Sequence, residues 1–202
     1  MSTPASEHYR TPEASIVDAL QPSPSDEELA AFAGPSGGYY LDSWRAYRDG
    51  RSGTTPNFAA LFFMGLWCYY RRMFWVGLAI AVGIRQVQVL TDIALVRLVD
   101  PDASDIRRSF VSLVLVLIGA LAWSFLANGV YYRRAVRVID EVHRATPDAS
   151  ARLERIRLAG GTRIWTIFLG IVASFIAIVI ATTLIQVLLV KVFGVGLPAP
   201  RS

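Results

Sequence analysis

The stretch "NFAALFFMGLWCYYRRMFWVG", residues 57–77, decides how this chain folds. It is apolar and rich in aromatic side chains until Arg71-Arg72, and it becomes apolar again at Met73. The first run, 57–70, would reach roughly 21 Å as a helix, whereas the hydrocarbon core of a bilayer is about 30 Å thick. We therefore predict an interfacial or re-entrant helix over 57–70 and interpret the paired arginines as the boundary before the first full span.

The composition of the 202-residue chain indicates a membrane protein. Hydrophobic residues make up 53% and the mean hydropathy is +0.41, both high for a soluble globule, and the apolar residues are clustered in long runs. Almost all of the positive charge comes from arginine, since Lys191 is the only lysine. A net charge of +4 fits nucleic acid or an anionic membrane surface, and the apolar runs favour the membrane.

We predict an all-α transmembrane domain over 73–193, in which three apolar runs are long enough to cross a bilayer as helices. The spans are about 73–99, 110–130 and 164–190. In the last span, Gly170 and Ser174 lie four residues apart, a spacing of small residues that lets helices approach closely in lipid.

The segment 131–163 between the second and third spans is polar and basic, and we predict two short helices in it. The first continues from the second span to about Ala145. The second begins with Thr146 as its cap and the following proline at its first position, and it stops at Gly160-Gly161.

The amino-terminal residues 1–38 contain five prolines and many serines and glutamates, with too little apolar surface to offset the entropy of ordering. A disordered arm is the prediction, with one exception. Ser25 and Glu28 form a candidate capping box before a short helix, although a transient turn explains the same residues. Residues 39–72 are expected to form an amphipathic, interfacial segment, and 194–202 a short tail.

Polar side chains interrupt the middle of the first span. Arg85, Gln88 and Asp92 fall at positions i, i+3 and i+7, on one helical face. Such groups in a membrane helix usually face the interior of the bundle and find partners there. Three interpretations stay open: a polar stripe satisfied by neighbouring helices, a path for a substrate or ion, or a span that ends near Ile84 and is followed by an amphipathic surface helix over 85–99.

Aromatic residues followed by arginines occur at the ends of two apolar runs, and both residue types are enriched where a membrane meets water. We interpret nine of them as interface anchors. They are Trp67, Tyr69, Tyr70, Arg71, Arg72, Tyr131, Tyr132, Arg133 and Arg134.

The distribution of positive charge predicts the orientation, because arginine and lysine near span ends are retained in the cytoplasm. The 131–163 segment carries the largest excess, so it is expected inside. The loop 100–108 has three aspartates against two arginines, so it is expected outside. Both assignments agree with three spans and a cytoplasmic amino terminus.

The quoted stretch resembles the hallmark of a family of small bacterial membrane proteins of unknown function. That hallmark reads roughly Asn-Trp-Ala-Ala-Phe-Phe-Phe-Gly-Pro-x-Trp-x-x-Tyr-Arg-Lys-Met, followed by a membrane helix. Phe58 stands where tryptophan is usual, and Leu66 stands where proline is usual, which weakens the case for a sharp bend there. An Asn-x-x-Tyr-Tyr-Arg segment at 128–133 and a Gly-Gly-Thr at 160–162 are also similar to the family.

The resemblance implies a multi-pass protein of the bacterial inner membrane, and it brings no activity, substrate or catalytic residue. The residues themselves add none. Cys68 is the single cysteine, and neither His8 nor His143 has a partner cysteine, so no disulfide or zinc site is expected. We interpret Cys68 as a packed apolar residue and His143 as part of a solvated helical face, and we predict no catalytic residue, cofactor or metal.

The leading interpretation is therefore a non-enzymatic, membrane-anchored interaction or scaffold protein. Its basic face, 39–72 with 131–163, would bind anionic lipid headgroups, and a membrane-protein partner or a second copy of the chain is an open alternative. Nucleic acid is not expected, because the basic and aromatic strip before residue 57 is short, contains aspartates and adjoins a membrane run. The alternative function is an oligomeric small transporter or channel subunit that uses the polar stripe of the first span.

Overall fold

The computed structural model describes residues 23–49, 55–99 and 104–193, and within these ranges the chain is helical, with no strand. A 3-10 turn, Gly34–Ser36, and a π-helical turn, Leu95–Val99, join or extend the helices. The helices are α1 Asp26–Ala33, α2 Gly37–Arg48, α3 Phe58–Tyr70, α4 Phe74–Ala94, α5 Asp105–Ala145, α6 Ala149–Ala159 and α7 Trp165–Phe193.

Three of these helices are long and apolar enough to cross a membrane, which confirms the predicted fold class. They are Phe74–Ala94, Asp105–Ala145 and Trp165–Lys191, and α3 is apolar but shorter. The second has 41 residues, about 61 Å of helix, so roughly half of it extends beyond a bilayer core. Helix α4 runs through Ile84 without interruption, so residues 85–94 continue the helix of the first candidate span.

Helix α3 lies across α5 instead of alongside it. Its cap residue Asn57 donates a backbone hydrogen bond to the carbonyl oxygen of Ser124 at 2.9 Å. Ten residues later, the Trp67 ring lies 6.4 Å from that of Trp123 and 6.0 Å from that of Tyr131. Because both ends of α3 meet the same short part of α5, the arrangement favours an interfacial or re-entrant helix over a fourth span.

A break in the middle of α3 brings its second half against α4. Met64 has φ 36° and ψ −108°, values that side-chain-bearing residues rarely adopt. A Cβ on the next residue, Gly65, would lie 3.1 Å from the carbonyl oxygen of Gly77 in α4. The bend therefore exists although Leu66 replaces the proline of the family hallmark, because close backbone packing on α4 imposes it.

We define the polar module as α1, α2, α6 and residues 131–145 of α5, and it is folded onto one end of the membrane-helix bundle. Helix α1 packs against α2, α5 and α6. Its capping box is present: Glu28 N donates to Ser25 Oγ at 3.2 Å, and Ser25 N donates to the Glu28 carboxylate at 2.9 Å. Phe32 is 0% exposed and lies beneath Tyr131.

These contacts correct the boundary of the expected arm over 1–38, because residues 26–33 form a helix with a buried face. Residues 1–22 lie outside the described residues. They also correct the expected interfacial character of the segment that begins at residue 39, since Tyr40 and Trp44 of α2 are 3% and 1% exposed within the protein. Composition could not show this, since the apolar partner of both helices is more than 80 residues away.

The end of α5 and helix α6 form the two helices predicted over 131–163, and only the cap of α6 differs from the prediction. Helix α5 ends at Ala145 and α6 ends before Gly160, both as predicted. The cap of α6 is Asp148, whose carboxylate accepts from Ser150 N at 3.1 Å, so the predicted Thr146 cap is wrong. Thr146 is extended and buried instead, and its hydroxyl accepts a hydrogen bond from Arg155 at 2.7 Å.

We predict that Gly160→Ala weakens the docking of α1 on α6. The added Cβ would lie 2.2 Å from the carbonyl oxygen of Phe32, so the backbone must shift, at a cost of roughly 1–3 kcal/mol. Thermal unfolding of the purified protein in detergent, followed by limited proteolysis, measures the loss. Gly38→Ala is the matched control because no atom lies within 4 Å of its added Cβ, and an equal loss in both variants would contradict the prediction.

Candidate functional site

The paired arginines between α3 and α4 point into the protein and bind the carboxyl-terminal ends of two helices. Arg71, only 5% exposed, donates from Nη1 to the carbonyl oxygen of Ala33, the last residue of α1, at 3.0 Å. Arg72 donates from Nη1 to the carbonyl oxygens of residues 158–160 at the end of α6, at 2.6, 2.9 and 3.1 Å. Terminal carbonyls lack partners within their helix and carry partial negative charge, so cations stabilise them.

The Arg71 guanidinium is enclosed by aromatic rings. It lies 4.6 Å from the ring centroid of Tyr40, 5.3 Å from that of Tyr131 and 5.8 Å from that of Tyr70. These distances are within the range of cation–π attraction. Its Nε is buried without a hydrogen-bond partner, and among the described residues no carboxylate forms an ion pair with it. A buried positive charge is therefore left with neutral partners only.

A buried amide pair connects the start of α3 to α5. Asn57 Nδ2 donates to Asn128 Oδ1 at 2.8 Å, and Asn128 Nδ2 donates to the Thr55 carbonyl oxygen at 3.2 Å. Asn57 also caps α3, because its Oδ1 accepts from Ala60 N at 2.9 Å. Trp44 of α2 donates its indole N–H to the Asn128 carbonyl oxygen at 3.2 Å. Two segments that resembled the family in sequence thus meet in one hydrogen-bonded network.

The Tyr69 ring fills a space that glycines leave open between α4 and α7. A Cβ added to Gly77 would come within 2.6 Å of this ring, and one added to Gly170 within 2.3 Å. The Tyr69 hydroxyl shares a hydrogen bond with Ser174. Gly170 and Ser174 of the third span were expected to let a neighbouring helix approach closely. In the structure they make room for the Tyr69 side chain.

The nine predicted interface anchors are divided between the interior and the surface. Trp67, Tyr69, Arg71 and Tyr131 are buried within the protein, which corrects the expectation that these four side chains lie on its surface. Tyr70 and Arg133 are exposed. The remaining three, Arg72, Tyr132 and Arg134, are half-buried. Membrane anchoring by the exposed members stays a prediction.

The structure brings the three members of the polar stripe to one cavity between α4 and α5, of about 420 Å³. Arg85, Gln88 and Asp92 line it together with Ser109 and Ser112 of α5. Within the described residues, none of these three side chains forms a hydrogen bond or an ion pair. A neighbouring helix partly satisfies Gln86, whose Nε2 donates to the Thr182 hydroxyl of α7 at 3.3 Å, while its buried Oε1 has no hydrogen-bond partner among the described residues.

The structure shows the surroundings of Cys68 and His143, the two residues that the sequence analysis considered for chemistry. Cys68 is 0% exposed, as expected for a packed apolar residue. His143 was expected on a solvated helical face, and this is wrong, because its Nε2 hydrogen-bonds the Glu28 carboxylate of the α1 capping box. Burial raises the pKa of Glu28, but the hydrogen bond from the Ser25 backbone N–H and the contact with His143 together outweigh it and lower this pKa. No local sequence signal indicates that contact.

The fold and the site define a helical protein with three candidate membrane spans, whose polar module is held to the bundle by hydrogen bonds from the consecutive residues Arg71 and Arg72. The family model described as "Protein of unknown function (DUF2628)" matches residues 23–137, more than half of the chain, and the chain belongs to that family. This confirms the resemblance to a family of unknown function. No curated protein and no solved structure matches the chain. The matched region includes Asn57, Arg71, Arg72 and Asn128, and it ends before α6 and α7.

We predict that Asn128→Ala destabilises the protein and that this loss depends on Asn57. Removing the amide leaves the buried Asn57 Nδ2 without its hydrogen-bond partner, at a cost of roughly 1–3 kcal/mol. Denaturation of the purified variants in detergent, set out as a double-mutant cycle with Asn57→Ala, measures the coupling. Additive losses in the double variant would show that the two amides do not act together.

Proposed function

We propose that this protein is a non-enzymatic, membrane-anchored interaction protein that binds an acidic partner at its polar module. The observation that carries the proposal is the basic stripe, which we define as Arg133, Arg137 and Arg144. Arg137 and Arg144 follow Arg133 by 4 and 11 residues, so all three lie on one face of α5. All three are exposed, and none forms an ion pair within the described part of the chain.

The length of α5 favours a protein partner over lipid headgroups for the whole stripe. Arg144 lies 14 residues beyond the predicted end of the second span at residue 130, roughly 21 Å along the helix. Surface charges are screened beyond about 8 Å at physiological ionic strength. Anionic headgroups can therefore attract Arg133, whereas an acidic surface that follows α5 can engage all three arginines. The excess of arginine in 131–163 supports a cytoplasmic polar module, where such a partner would be met.

A photo-crosslinking amino acid in place of Arg137 tests this proposal in native membranes that contain the full chain. We expect an adduct of defined mass that mass spectrometry assigns to an acidic protein, and a severalfold loss of that adduct when Arg133 and Arg144 are changed to Gln. The same crosslinker in place of Glu154, exposed on α6, is the control and should not give this adduct. Equal adducts from both positions, or lipid adducts alone, would refute a protein partner.

A second candidate function is an oligomeric small transporter or channel subunit, and the cavity around the polar stripe supports it. Arg85 and Asp92 line this cavity without ion-pair partners among the described residues, and the buried Ser112 hydroxyl there has no hydrogen-bond partner. Unpaired groups of this kind in a membrane helix are typical of water-filled paths.

Thiol accessibility distinguishes this alternative. In a Cys68→Ala background, Ser112→Cys should react with a membrane-impermeant thiol reagent if water fills the cavity in native membranes. Leu117→Cys is the control and should stay unlabelled, because Leu117 is 57% exposed on an apolar part of α5. If the cysteine at position 112 reacts only after the membrane is dissolved, the stripe is closed to water and the transport alternative fails.

A further inference from the structure

A cavity of about 740 Å³ lies between the start of α2, the whole of α3 and the first turn of α7. Its volume is within the range of roughly 300–1,000 Å³ that is typical of small-molecule sites. Its wall is mainly aromatic and aliphatic, with Phe58, Phe63, Leu66 and Trp67 of α3 among the lining residues. The cavity therefore has walls from both the polar module and the membrane helices.

Among the described residues that line this cavity, Arg71 alone carries a charge. Arg71 is 5% exposed and its Nε has no hydrogen-bond partner, and among the described residues it contacts the Ala33 carbonyl oxygen and the side chains of three tyrosines. A buried charge without a counter-ion is costly unless an anion reaches it. The planar guanidinium fork suits the oxygens of a phosphate or carboxylate, which it can bind with two parallel hydrogen bonds.

The open side of the cavity is continuous with the apolar surface of α3. Phe58, Phe63 and Leu66 are 65%, 60% and 41% exposed while they also line the cavity. Arg71 lies just before the first residue of α4, where the chain enters the first candidate span. An anion bound to Arg71 would therefore lie at the depth of lipid headgroups, and an attached acyl chain could follow the phenylalanines toward the hydrocarbon.

We infer that this cavity binds one anionic phospholipid, with its phosphate on Arg71 and an acyl chain along Phe58, Phe63 and Leu66. A soluble anion would neutralise Arg71 and leave the apolar wall uncovered. A neutral lipid would cover the wall and leave the charge unpaired. An anionic phospholipid satisfies both at once. This inference is separate from the proposed function, because it uses Arg71 and α3, whereas the acidic partner uses the basic stripe of α5.

Native mass spectrometry of the full chain in detergent tests the site, with phosphatidylglycerol and phosphatidylcholine of identical acyl chains as probes. We expect one retained phosphatidylglycerol, at least tenfold above phosphatidylcholine. Oleate and inorganic phosphate serve as competitors: oleate has an acyl chain without a phosphate, and inorganic phosphate has no acyl chain. Equal retention of the two phospholipids overturns the inference. Displacement by inorganic phosphate alone at matched concentration would identify a simple anion site and overturn it too.

Two variants separate binding from folding. Arg71→Gln should abolish the preference for phosphatidylglycerol, and it also removes the contact with Ala33, so a misfolded protein could mimic this result. Ala59→Trp avoids that ambiguity, because Ala59 lines the cavity and its substitution fills the space while Arg71 keeps its place. We expect at least a tenfold loss of retained lipid in Ala59→Trp, and wild-type retention in this variant overturns the inference.

Matched controls complete the experiment. Ala79→Trp makes the same substitution at an exposed position of α4 outside the cavity, and it should retain lipid like the unmodified protein. Changing Arg133, Arg137 and Arg144 to Gln should also leave the retained lipid unchanged. Conversely, Ala59→Trp should leave the crosslinked adduct at position 137 intact. Failure of the lipid site and failure of the proposed acidic partner are thereby told apart.

Discussion

The binding of helix carbonyls by two consecutive arginines is the interaction on which the rest of the structure depends. Arg71 binds the end of α1 and Arg72 binds the end of α6, so one short turn between α3 and α4 joins the polar module to the membrane helices. Neighbouring side chains must diverge to do this. Arg72 accordingly adopts a left-handed backbone conformation with φ 60°, a strain that the three hydrogen bonds from its guanidinium offset.

Three segments, 57–73, 128–133 and 160–162, belong to this one junction. The amide of Asn57 pairs with that of Asn128, the Tyr131 ring covers Arg71, and Gly160 lets the end of α1 approach α6. Asn57 and Gly160 are 103 residues apart in the chain, and all three segments contribute to the same packing. These contacts hold the polar module on the membrane helices. They are needed because the hydrophobic effect does not drive helices together in lipid.

The same constraint leaves Arg71 and the basic stripe of α5 without ion-pair partners in the described part of the chain. Arg71 is held in place by carbonyl and aromatic contacts, which orient the cation without neutralising it. The arginines of α5 face outward because the opposite face of that helix is occupied by α1 and α2. One feature lies beside an apolar cavity and the other along a protruding helix, so the two point to ligands of different kinds: a lipid within the cavity and an acidic surface beyond the bundle.

The sequence by itself determined the helical class, the three spans, the end of α5 at Ala145 and the stop at Gly160, because hydropathy, helix period and glycine act over short distances. It also indicated that Arg71-Arg72 divides two helices. Only the tertiary structure decided where those arginines point, that α1 and α2 are packed, and that His143 contacts Glu28. Each of these depends on partners distant in the chain, and a local pattern of aromatics and arginines fits a membrane surface as well as a protein interior. The burial of Arg71 was decided by the carbonyl and the rings that surround it, which only the folded chain brings together.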